Sequence, residues 1–394
     1  MQIHGTNTTH GYRKFHVAAS LLLLLFLLPA AGADVAGAKP KAVTAEKPYD
    51  IAWGPFLQNL TPTSVTVLWS GGGAGEELVE YGETKEQLSQ SVRSAEARAT
   101  IAGLKPGKSY FYRVTSKPQG EERAASSAIA TFTTPVEDMQ AFSFVILADT
   151  HQSKCAPDLA KRILAEKPDF VLHLGDRNPS IVGGLLKPYK EVMQQIPMYM
   201  ARGNHDTAEK QRQFSAMPGP GDQQYYSYRW GNARFICVNT EDWKGAGLKK
   251  GGPQYQWLEN ELKTCKEQWK FIFQHIPVYS AWDGGMNPAA DDERALLEQY
   301  KVDVVFQGHM HNYDRSLPLR NEVVAREDGV IYITASGGCG GNEPFPKGEK
   351  HWFIDKTWRG EPFIGSCAVN GDKARIQFMT PARQVFDSLE LQAK

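Results

Sequence analysis

The segment FSFVILADTHQSKC, from Phe142 to Cys155, carries the pattern on which the interpretation of this sequence rests. An apolar run ends in Asp149, one spacer residue and His151. Side chains at positions i and i+2 of an extended chain point to the same side. This carboxylate and this imidazole can therefore satisfy each other or hold a ligand between them, and the remainder of the chain has to decide between the two.

Apolar runs that end in polar residues recur further along, and helical patterns separate them. DFVLHLGD covers Asp169–Asp176 and VDVVFQGH covers Val302–His309, whereas APDLAKRILAEK and DERALLEQY have apolar residues at helical spacing. Such alternation predicts a layered α/β domain with largely buried strands. In such sheets, binding sites lie beyond the carboxyl ends of the strands, which is where these polar residues fall.

The residues before this domain follow a different pattern. The stretches SVTVLW, ELVEYG, SYFYRVTS and AIATFTT are short, rich in β-branched or aromatic residues, and separated by the turn sequences GGGAG and KPGK. This spacing predicts a small all-β sandwich. With 394 residues, two domains are the default expectation. The sequence predicts an all-β domain over residues 48–135 and an α/β domain over residues 141–394.

The charge composition gives no sign of a nucleic-acid or membrane partner, and the N-terminal residues indicate export. Lys plus Arg equals Asp plus Glu, 44 against 44, so no net charge indicates a nucleic acid or a membrane surface as partner. Arg13 and Lys14 precede the apolar run VAASLLLLLFLLP and the small residues AGA. Residues 1–33 therefore match a signal peptide, residues 34–47 match a linker, and the protein is expected to be secreted or periplasmic. The run is short for a membrane span, although retention as an uncleaved anchor stays open.

Histidine is the residue type that indicates chemistry. Seven of the ten histidines lie outside the proposed signal peptide, and five of them end apolar runs or lie in glycine-flanked turns. The other two are His173 and His351, and we expect His173 to be a buried, hydrogen-bonded core residue. Each motif alone fits an ordinary turn or helix cap. The order D-x-H, GD, GNHD, H-x-P and GHxH, each after an apolar run, is too regular for coincidence.

This order of motifs resembles the calcineurin-like metallophosphoesterase superfamily. Several longer segments narrow the resemblance to purple acid phosphatases with an N-terminal fibronectin type III-like domain. These segments include GPFLQNLTPTSVTVLW, YYSYRWGNARFICVNTED, HIPVYS and GHMHNYDRS. The resemblance extends from about Tyr49 to Leu391. It implies that the second domain is a four-layer αββα sandwich.

The resemblance also implies a site with two metal ions. Imidazole nitrogen together with carboxylate or carbonyl oxygen suits Fe, Mn or Zn. Asp176 would bridge the two ions. The remaining ligands would divide into two sets, which are Asp149, His151 and His311 for one ion and Asn204, His275 and His309 for the other.

The implied reaction is the hydrolysis of a small phosphate ester. A metal-activated hydroxide would attack phosphorus in line, and His205 would donate a proton to the leaving alkoxide, with Asp206 orienting its ring. For His205, a purely structural role is the alternative. Two other functions stay open for the protein, a strict phosphodiesterase or nucleotidase and a catalytically inactive surface-binding protein.

The chain departs from the purple phosphatases at two places. Those proteins have a small residue where this chain has His151, and a tyrosine where it has Pro179. We therefore expect no iron–tyrosinate centre and a colourless protein. The loop over Ser280–Glu293 contains no histidine, which puts a preference for phosphomonoesters in doubt.

Further substrate contacts are possible for some residues, each with an equally plausible role in packing or as a solvated side chain. These residues are Arg177, Tyr279, Trp282, Arg315 and His351. The chain has five cysteines and no CxxC motif, which makes cysteine-based zinc or redox chemistry a poor interpretation. Up to two disulfides are possible, and we interpret Cys155 as a structural cysteine rather than a reactive one.

Overall fold

The computed structural model describes residues 50–394, except for short gaps. The gaps are residues 72–74, 152, 178–179, 218, 221–223, 242–247, 282–284 and 339–350. The proposed signal peptide and linker, residues 1–33 and 34–47, lie outside the described residues, as do Pro179 and Trp282. Within the described part of the chain, no helix is long and apolar enough to cross a membrane.

Eight strands form the first part of the structure. They are β1 Phe56–Gln58, β2 Ser64–Leu68, β3 Gly75–Gly82, β4 Gln90–Ser94, β5 Arg98–Ala102, β6 Ser109–Pro118, β7 Ala125–Ser126 and β8 Ala130–Thr133. One antiparallel sheet has the order β1-β2-β5, and the other has the order β4-β3-β6-β7, with β8 also paired to β6. Alternate residues of β6, such as Tyr110, Tyr112 and Val114, are buried. The predicted all-β sandwich is confirmed.

The described residues of the second part contain strands β9 to β23 and five α-helices. The strands are β9 Ala141–Leu147, β10 Phe170–His173, β11 Met198–Met200, β12 Tyr226–Trp230, β13 Ala233–Cys237, β14 Trp269–Phe273, β15 Val304–Gln307, β16 Tyr313–Ser316, β17 Leu319–Arg320, β18 Val323–Val324, β19 Ile331–Ala335, β20 Ile354–Trp358, β21 Ile364–Asn370, β22 Lys373–Met379 and β23 Val385–Gln392. The helices are α1 Ala156–Glu166, α2 Lys190–Met193, α3 Ala208–Gln213, α4 Pro253–Thr264 and α5 Asp291–Gln299. A π-helical segment spans Val182–Leu186 and a 3₁₀ turn spans Pro288–Ala290.

Two sheets pack face to face in this second part. One has the order β11-β10-β9-β21-β22-β23 and the other the order β12-β13-β14-β15-β19-β16-β20. Aromatic rings fill the space between them. Phe144 of the first sheet has its ring 5.2 Å from Phe235 and 5.7 Å from Phe271 of the second, measured between centroids.

Helices cover the outer face of each sheet. Leu159 and Ile163 of α1 pack with Val145 and Leu147 of β9 on one side. On the other side, residues of α4 and α5 pack against β14 and β15. Residues 144–147 of β9 are therefore buried on both faces, which explains why this part of the strand is continuously apolar rather than alternating. The α/β domain with four layers is confirmed.

The sandwich and the second part share buried contacts. Gln58 of β1 is fully buried, and its side-chain amide donates to the carbonyls of Met198 and Phe214 and accepts from the backbone of Ala216. The hydroxyl of Tyr112 donates to the carbonyl of Gln194 at 2.8 Å. One cluster of buried hydrophobic residues contains side chains from both parts.

Candidate metal centre

Strand ends from both sheets deliver the polar residues that the sequence singled out. In the first sheet, β9, β10 and β11 run parallel and are followed by Asp149 and His151, by Asp176, and by the Asn204–Asp206 turn. In the second sheet, β14 and β15 run parallel and are followed by His275 and by the His309–His311 turn. Since the carboxyl ends of parallel strands meet at one edge, these segments converge.

A first donor group consists of Asp149, His151 and His311, whose ligand atoms all lie within 4.8 Å of one another. The Nε2 atoms of His151 and His311 are 3.3 Å apart. The Nε2 atom of His311 is 3.7 Å from a carboxylate oxygen of Asp149. The two residues of the D-x-H motif thus meet a third donor from 160 positions further along the chain.

A second donor group consists of Asp176, His275 and His309, again within 4.8 Å. The side-chain oxygen of Asn204 joins them, 2.9 Å from Nε2 of His275 and 2.8 Å from Nδ1 of His309. An oxygen of Asp176 lies 3.3 Å from Nε2 of His275. All seven residues that the sequence proposed as metal ligands therefore lie in or beside these two groups.

Two glycines permit the close approach of the turns. A Cβ atom at Gly203 would lie 2.1 Å from a carboxylate oxygen of Asp176. At Gly175, where φ is +99°, a Cβ atom would lie 2.7 Å from Nδ1 of His275. Any larger residue at either position would displace a proposed ligand.

The charges around the second group favour a cation. Burial alone would lower the pKa of His275, but the hydrogen bond to Asp176 and the charges of Asp149 and Asp176 raise this pKa to about 10. Burial and the neighbouring His275 lower the pKa of His309 to about 4. Burial would raise the pKa of Asp176, yet the hydrogen bond with His275 and its charge hold it below the usual range.

His205 faces the donor groups from the solvent side. Its side chain is 60% exposed, and its Nε2 atom lies 3.9 Å from a carboxylate oxygen of Asp176. Its ring centroid is 5.5 Å from that of His151. The backbone N–H of His205 donates to Asp176 at 2.9 Å. This histidine therefore borders both groups and is accessible to a bound molecule.

The sequence predicted that Asp206 orients the ring of His205. Within the described chain, the contacts of the Asp206 side chain do not include that ring. Its carboxylate is buried and pairs with the guanidinium of Arg177 at 2.8 Å. It also accepts from the backbone N–H groups of Asp176, Arg177 and Gly203, each at 3.1 Å. Asp206 thus holds the Asp176 turn against the Gly203 turn, and no hydrogen bond joins it to the ring of His205.

Sequence reasoning missed Ser336. This residue follows β19, is 1% exposed, and donates its hydroxyl to the carboxylate of Asp149. The hydroxyl oxygen of Ser336 also accepts a hydrogen bond from the backbone N–H of His311 at 2.9 Å. The signal was available, because ITASGG also reads as an apolar run that ends in a small polar residue. Serine is common at strand ends, so that signal alone was weak.

Most of the residues that the sequence named as possible substrate contacts bind or pack against other parts of the protein. Arg177 is 1% exposed and bound to Asp206, and Tyr279 is 1% exposed with its ring against Tyr332 and Phe353. Arg315 pairs with Asp387 and Asp355. For these three, the packing alternative is the one that the structure favours.

Three other residues were singled out in the sequence, namely His351, His173 and Cys155. His351 is half-buried, and its ring is stacked on Phe353 with a centroid distance of 5.3 Å. His173 is buried, as expected, and burial lowers its pKa to about 3. Cys155 is disulfide-bonded, which fits a structural role, whereas Cys237, Cys265 and Cys367 are free.

The donor set fits two metal ions. Each group offers carboxylate or amide oxygen together with imidazole nitrogen, a combination that borderline ions bind well. The Nδ1–H of His275 donates to the carbonyl of Leu174 at 2.8 Å. In the neutral ring that a metal ion would bind, Nε2 therefore carries the lone pair on the side of Asp176 and Asn204, as is usual for a metal-binding histidine.

Comparisons with known proteins agree with this geometry. A family model described as calcineurin-like phosphoesterase matches residues 142–313, and one described as purple acid phosphatase N-terminal domain matches residues 56–134. Acid phosphatase type 7 of Danio rerio is 26% identical over 353 residues, which cover 72% of this chain and 77% of that protein.

Two further matches bear on the metals and on the fold. Fe(3+)-Zn(2+) purple acid phosphatase 12 of Arabidopsis thaliana is 38% identical over 109 residues, which cover 23% of this chain and 22% of that protein. The solved structure of purple acid phosphatase PPD1 from yellow lupin, Lupinus luteus, matches with a TM-score of 0.74 at 18% identity. That match covers 86% of this chain and 74% of the lupin chain.

Residues 142–313 thus match a calcineurin-like phosphoesterase domain, and the similarity to acid phosphatases indicates a metal-dependent hydrolase of phosphate esters. Within that class the chain resembles the purple acid phosphatases, whose N-terminal domain it also carries.

Proposed function

We propose that this protein hydrolyses small phosphate esters with two metal ions and that it does so outside the cytoplasm. One observation carries the proposal: seven side chains from five strand ends converge. Six of them form two donor groups with ligand atoms within 4.8 Å in each, and the side-chain oxygen of Asn204 lies 2.9 Å from Nε2 of His275 in the second group. These groups lie beyond the strand ends and beside the exposed His205, where a phosphate ester can approach them.

Asp149, His151 and His311 would hold one ion, Asn204, His275 and His309 the other, and Asp176 would contact both. When bound, the two ions supply Lewis acidity toward the phosphoryl oxygens and make water a usable nucleophile at neutral pH. We propose borderline ions, Fe, Mn or Zn. With Pro179 in place of the family's tyrosine, we propose that the loaded protein is colourless.

The chain's own residues supply the rest of the reaction. His205 is exposed and 3.9 Å from Asp176, so its ring can reach the ester oxygen of a substrate held between the two donor groups. We propose that it donates the proton that this oxygen needs on leaving. Asp206 and Arg177 would act indirectly, since they fix the turns that carry Asp176 and Asn204.

The proposal covers the hydrolysis of phosphomonoesters, of phosphodiesters or of both. The absence of histidine from the loop over Ser280–Glu293 favours a second candidate, a strict phosphodiesterase or nucleotidase. Export rests on the N-terminal basic and apolar pattern alone. The inactive surface-binding alternative is opposed by the full ligand set.

The first experiment compares substrates with and without metals. We expect the purified protein to bind about two metal ions and to hydrolyse 4-nitrophenyl phosphate, bis(4-nitrophenyl) phosphate or both when supplied with Mn, Zn or Fe, and to lose this activity with a chelator. A strong absorption band in the visible range would contradict the proposed absence of tyrosinate. No turnover with any of the metals would favour the binding protein.

A His205→Ala variant tests the proton donor. General acid catalysis contributes roughly 10²- to 10⁴-fold, and it matters most when the leaving oxygen is strongly basic. We expect kcat for an alkyl phosphate to fall by about that factor and kcat for 4-nitrophenyl phosphate, whose leaving group is a weak base, to fall much less. Metal content is the control. Equal losses for both substrates would exclude His205 as the general acid.

A further inference from the structure

A cavity of about 310 Å³ opens directly beside the second donor group. Asn204 and His309, two of the proposed metal ligands, form one end of it. The other described lining residues are residues 276–278, Ser280, residues 285–288 and Met310. A phosphate ester bound at the donor group can therefore place its organic part in this cavity.

The walls of this cavity are apolar. The hydrophobic residues that line it are Ile276, Pro277, Val278, Met286, Pro288 and Met310. Among the described lining residues, none is lysine, arginine, aspartate or glutamate. Methionine side chains adapt their shape and make favourable contacts with aromatic rings.

The polar side chains in the walls are occupied by the protein itself. Asn287 donates its amide to the carbonyl of Pro277 at 3.1 Å, and its oxygen accepts from the backbone of Ala289 at 3.0 Å. The hydroxyl of Ser280 donates to the buried carboxylate of Asp314 at 3.1 Å. A charged group would find no oppositely charged side chain among the described lining residues, so its burial in this cavity would cost free energy.

The cavity is formed by backbone hydrogen bonds before any ligand arrives. The backbone N–H of Ser280 donates to the carbonyl of Gly285 at 2.8 Å, and that of Asn287 donates to the carbonyl of Val278 at 3.0 Å. A benzene molecule fits an apolar cavity of about 150 Å³. The present cavity is roughly twice that size, enough for a substituted ring or a bicyclic group.

We propose that the preferred substrates are phosphate esters of uncharged, apolar alcohols or phenols, and that sugar phosphates, polyphosphates and other polyanionic esters are poor substrates. This inference rests on the proposed function, because the cavity is a substrate site only if the donor group holds the phosphate. Met286 is the wall residue best suited to test it, since it is half-buried and is not a proposed ligand.

The experiment uses two substrates that differ by one distal carboxylate group. 4-Ethylphenyl phosphate and 4-(2-carboxyethyl)phenyl phosphate release phenols of similar basicity. For the metal-loaded protein, we expect kcat/KM to be at least about tenfold higher for the ethyl compound, because a desolvated, unpaired carboxylate is costly. Met286→Lys places a cation in the wall and should reduce or reverse this ratio. Met139→Lys, at a half-buried methionine outside the cavity lining, should leave it unchanged.

Binding measurements separate this inference from the proposed function. Calorimetry with the matched benzylphosphonates, 4-ethyl and 4-(2-carboxyethyl), reports the preference of the cavity without turnover. Hydrolysis of both phosphates with equal kcat/KM, or an unchanged ratio in Met286→Lys, would overturn the cavity inference while leaving the hydrolase intact. Tighter binding of the ethyl phosphonate in a protein that hydrolyses neither phosphate would keep the cavity inference and overturn the proposed function.

Discussion

Five of the seven proposed ligands have backbone angles in the left-handed region, where glycine is the favoured residue. These are Asp149 at φ 53°, His151 at 39°, Asp176 at 58°, His309 at 76° and His311 at 48°. Such angles cost about 1–3 kcal/mol each for residues other than glycine. They occur here because the sharp turns after the strands aim the side chains at common points. The site is therefore built at the expense of local stability.

This strain can be measured at His309. In the metal-free protein, we expect His309→Gly to be more stable than His309→Ala by about 1 kcal/mol, because only alanine has a Cβ that crowds the left-handed turn. Urea unfolding of both variants gives the difference. The matched pair at the exposed helical position Lys161 should have the opposite order, since glycine is the poorer helix former by about 1 kcal/mol. The same order at both positions would exclude the strain.

At the level of single residues, the sequence was most informative where a polar residue follows an apolar run. Asp149 and His275 could be found in this way, because strand ends meet at one edge whatever the loops do. The hydrogen-bond partner of the Asp206 side chain could not be found in this way. Its carboxylate binds Arg177 rather than His205, and that choice depends on how two turns pack against each other. Ser336 was missed for another reason, since serine is common at strand ends and its position there is a weak signal.

At the scale of elements, α5 shows what amphipathic patterns leave undetermined. The sequence predicted this helix from its leucines, and Glu293 was one of its polar positions. In the structure Glu293 is 2% exposed, and one of its carboxyl oxygens has no hydrogen-bond partner among the described residues. Glutamate is seldom fully buried, so the pattern alone favoured an exposed side chain.

The burial of Glu293 has a pH consequence. Burial raises its pKa to about 8, above the value of about 4.3 expected for an unfolded chain. Between these values the folded state binds more protons than the unfolded state, so the free energy of unfolding falls as pH rises from about 4.3 to 8, and the effect levels off above that.

The Glu293→Gln variant removes this titration. We expect the free energy of unfolding of the original protein to fall relative to the variant by an amount on the order of a few kcal/mol between pH 5 and pH 8. Urea unfolding at several pH values measures it, and titrations that both proteins share cancel in the difference. A difference that does not change with pH would mean that Glu293 is already ionised in the folded state.

At the scale of the whole molecule, the sandwich and the α/β layers are joined by buried contacts rather than by a linker alone. Gln58 is the clearest case, since it makes hydrogen bonds to Met198, Phe214 and Ala216. The sequence predicted both domains from their different periodicities. It gave no indication of this junction, because a single glutamine in β1 has no pattern that distinguishes it.

The Gln58→Ala variant tests the junction. Loss of the amide leaves buried backbone groups without partners, and we expect the free energy of unfolding to fall by about 1–3 kcal/mol. The metal content and kcat should stay unchanged, because Gln58 contacts no proposed ligand. Gln119→Ala at an exposed position should change the stability by no more than about 0.5 kcal/mol. Equal effects of the two substitutions would show that the junction contributes nothing to stability.

The wide separation of the ligands along the chain determines when the metals can be selected. In the unfolded chain the strongest local chelators are the pairs Asp149 with His151 and His309 with His311, and such pairs bind ions weakly and with little discrimination. The complete donor groups exist only after both sheets have assembled, and binding is then coupled to folding. Ions of higher intrinsic affinity would win any open competition. If the donor groups bind metals as proposed, the metal content of the protein would record the ion supply of the compartment in which its folding is completed.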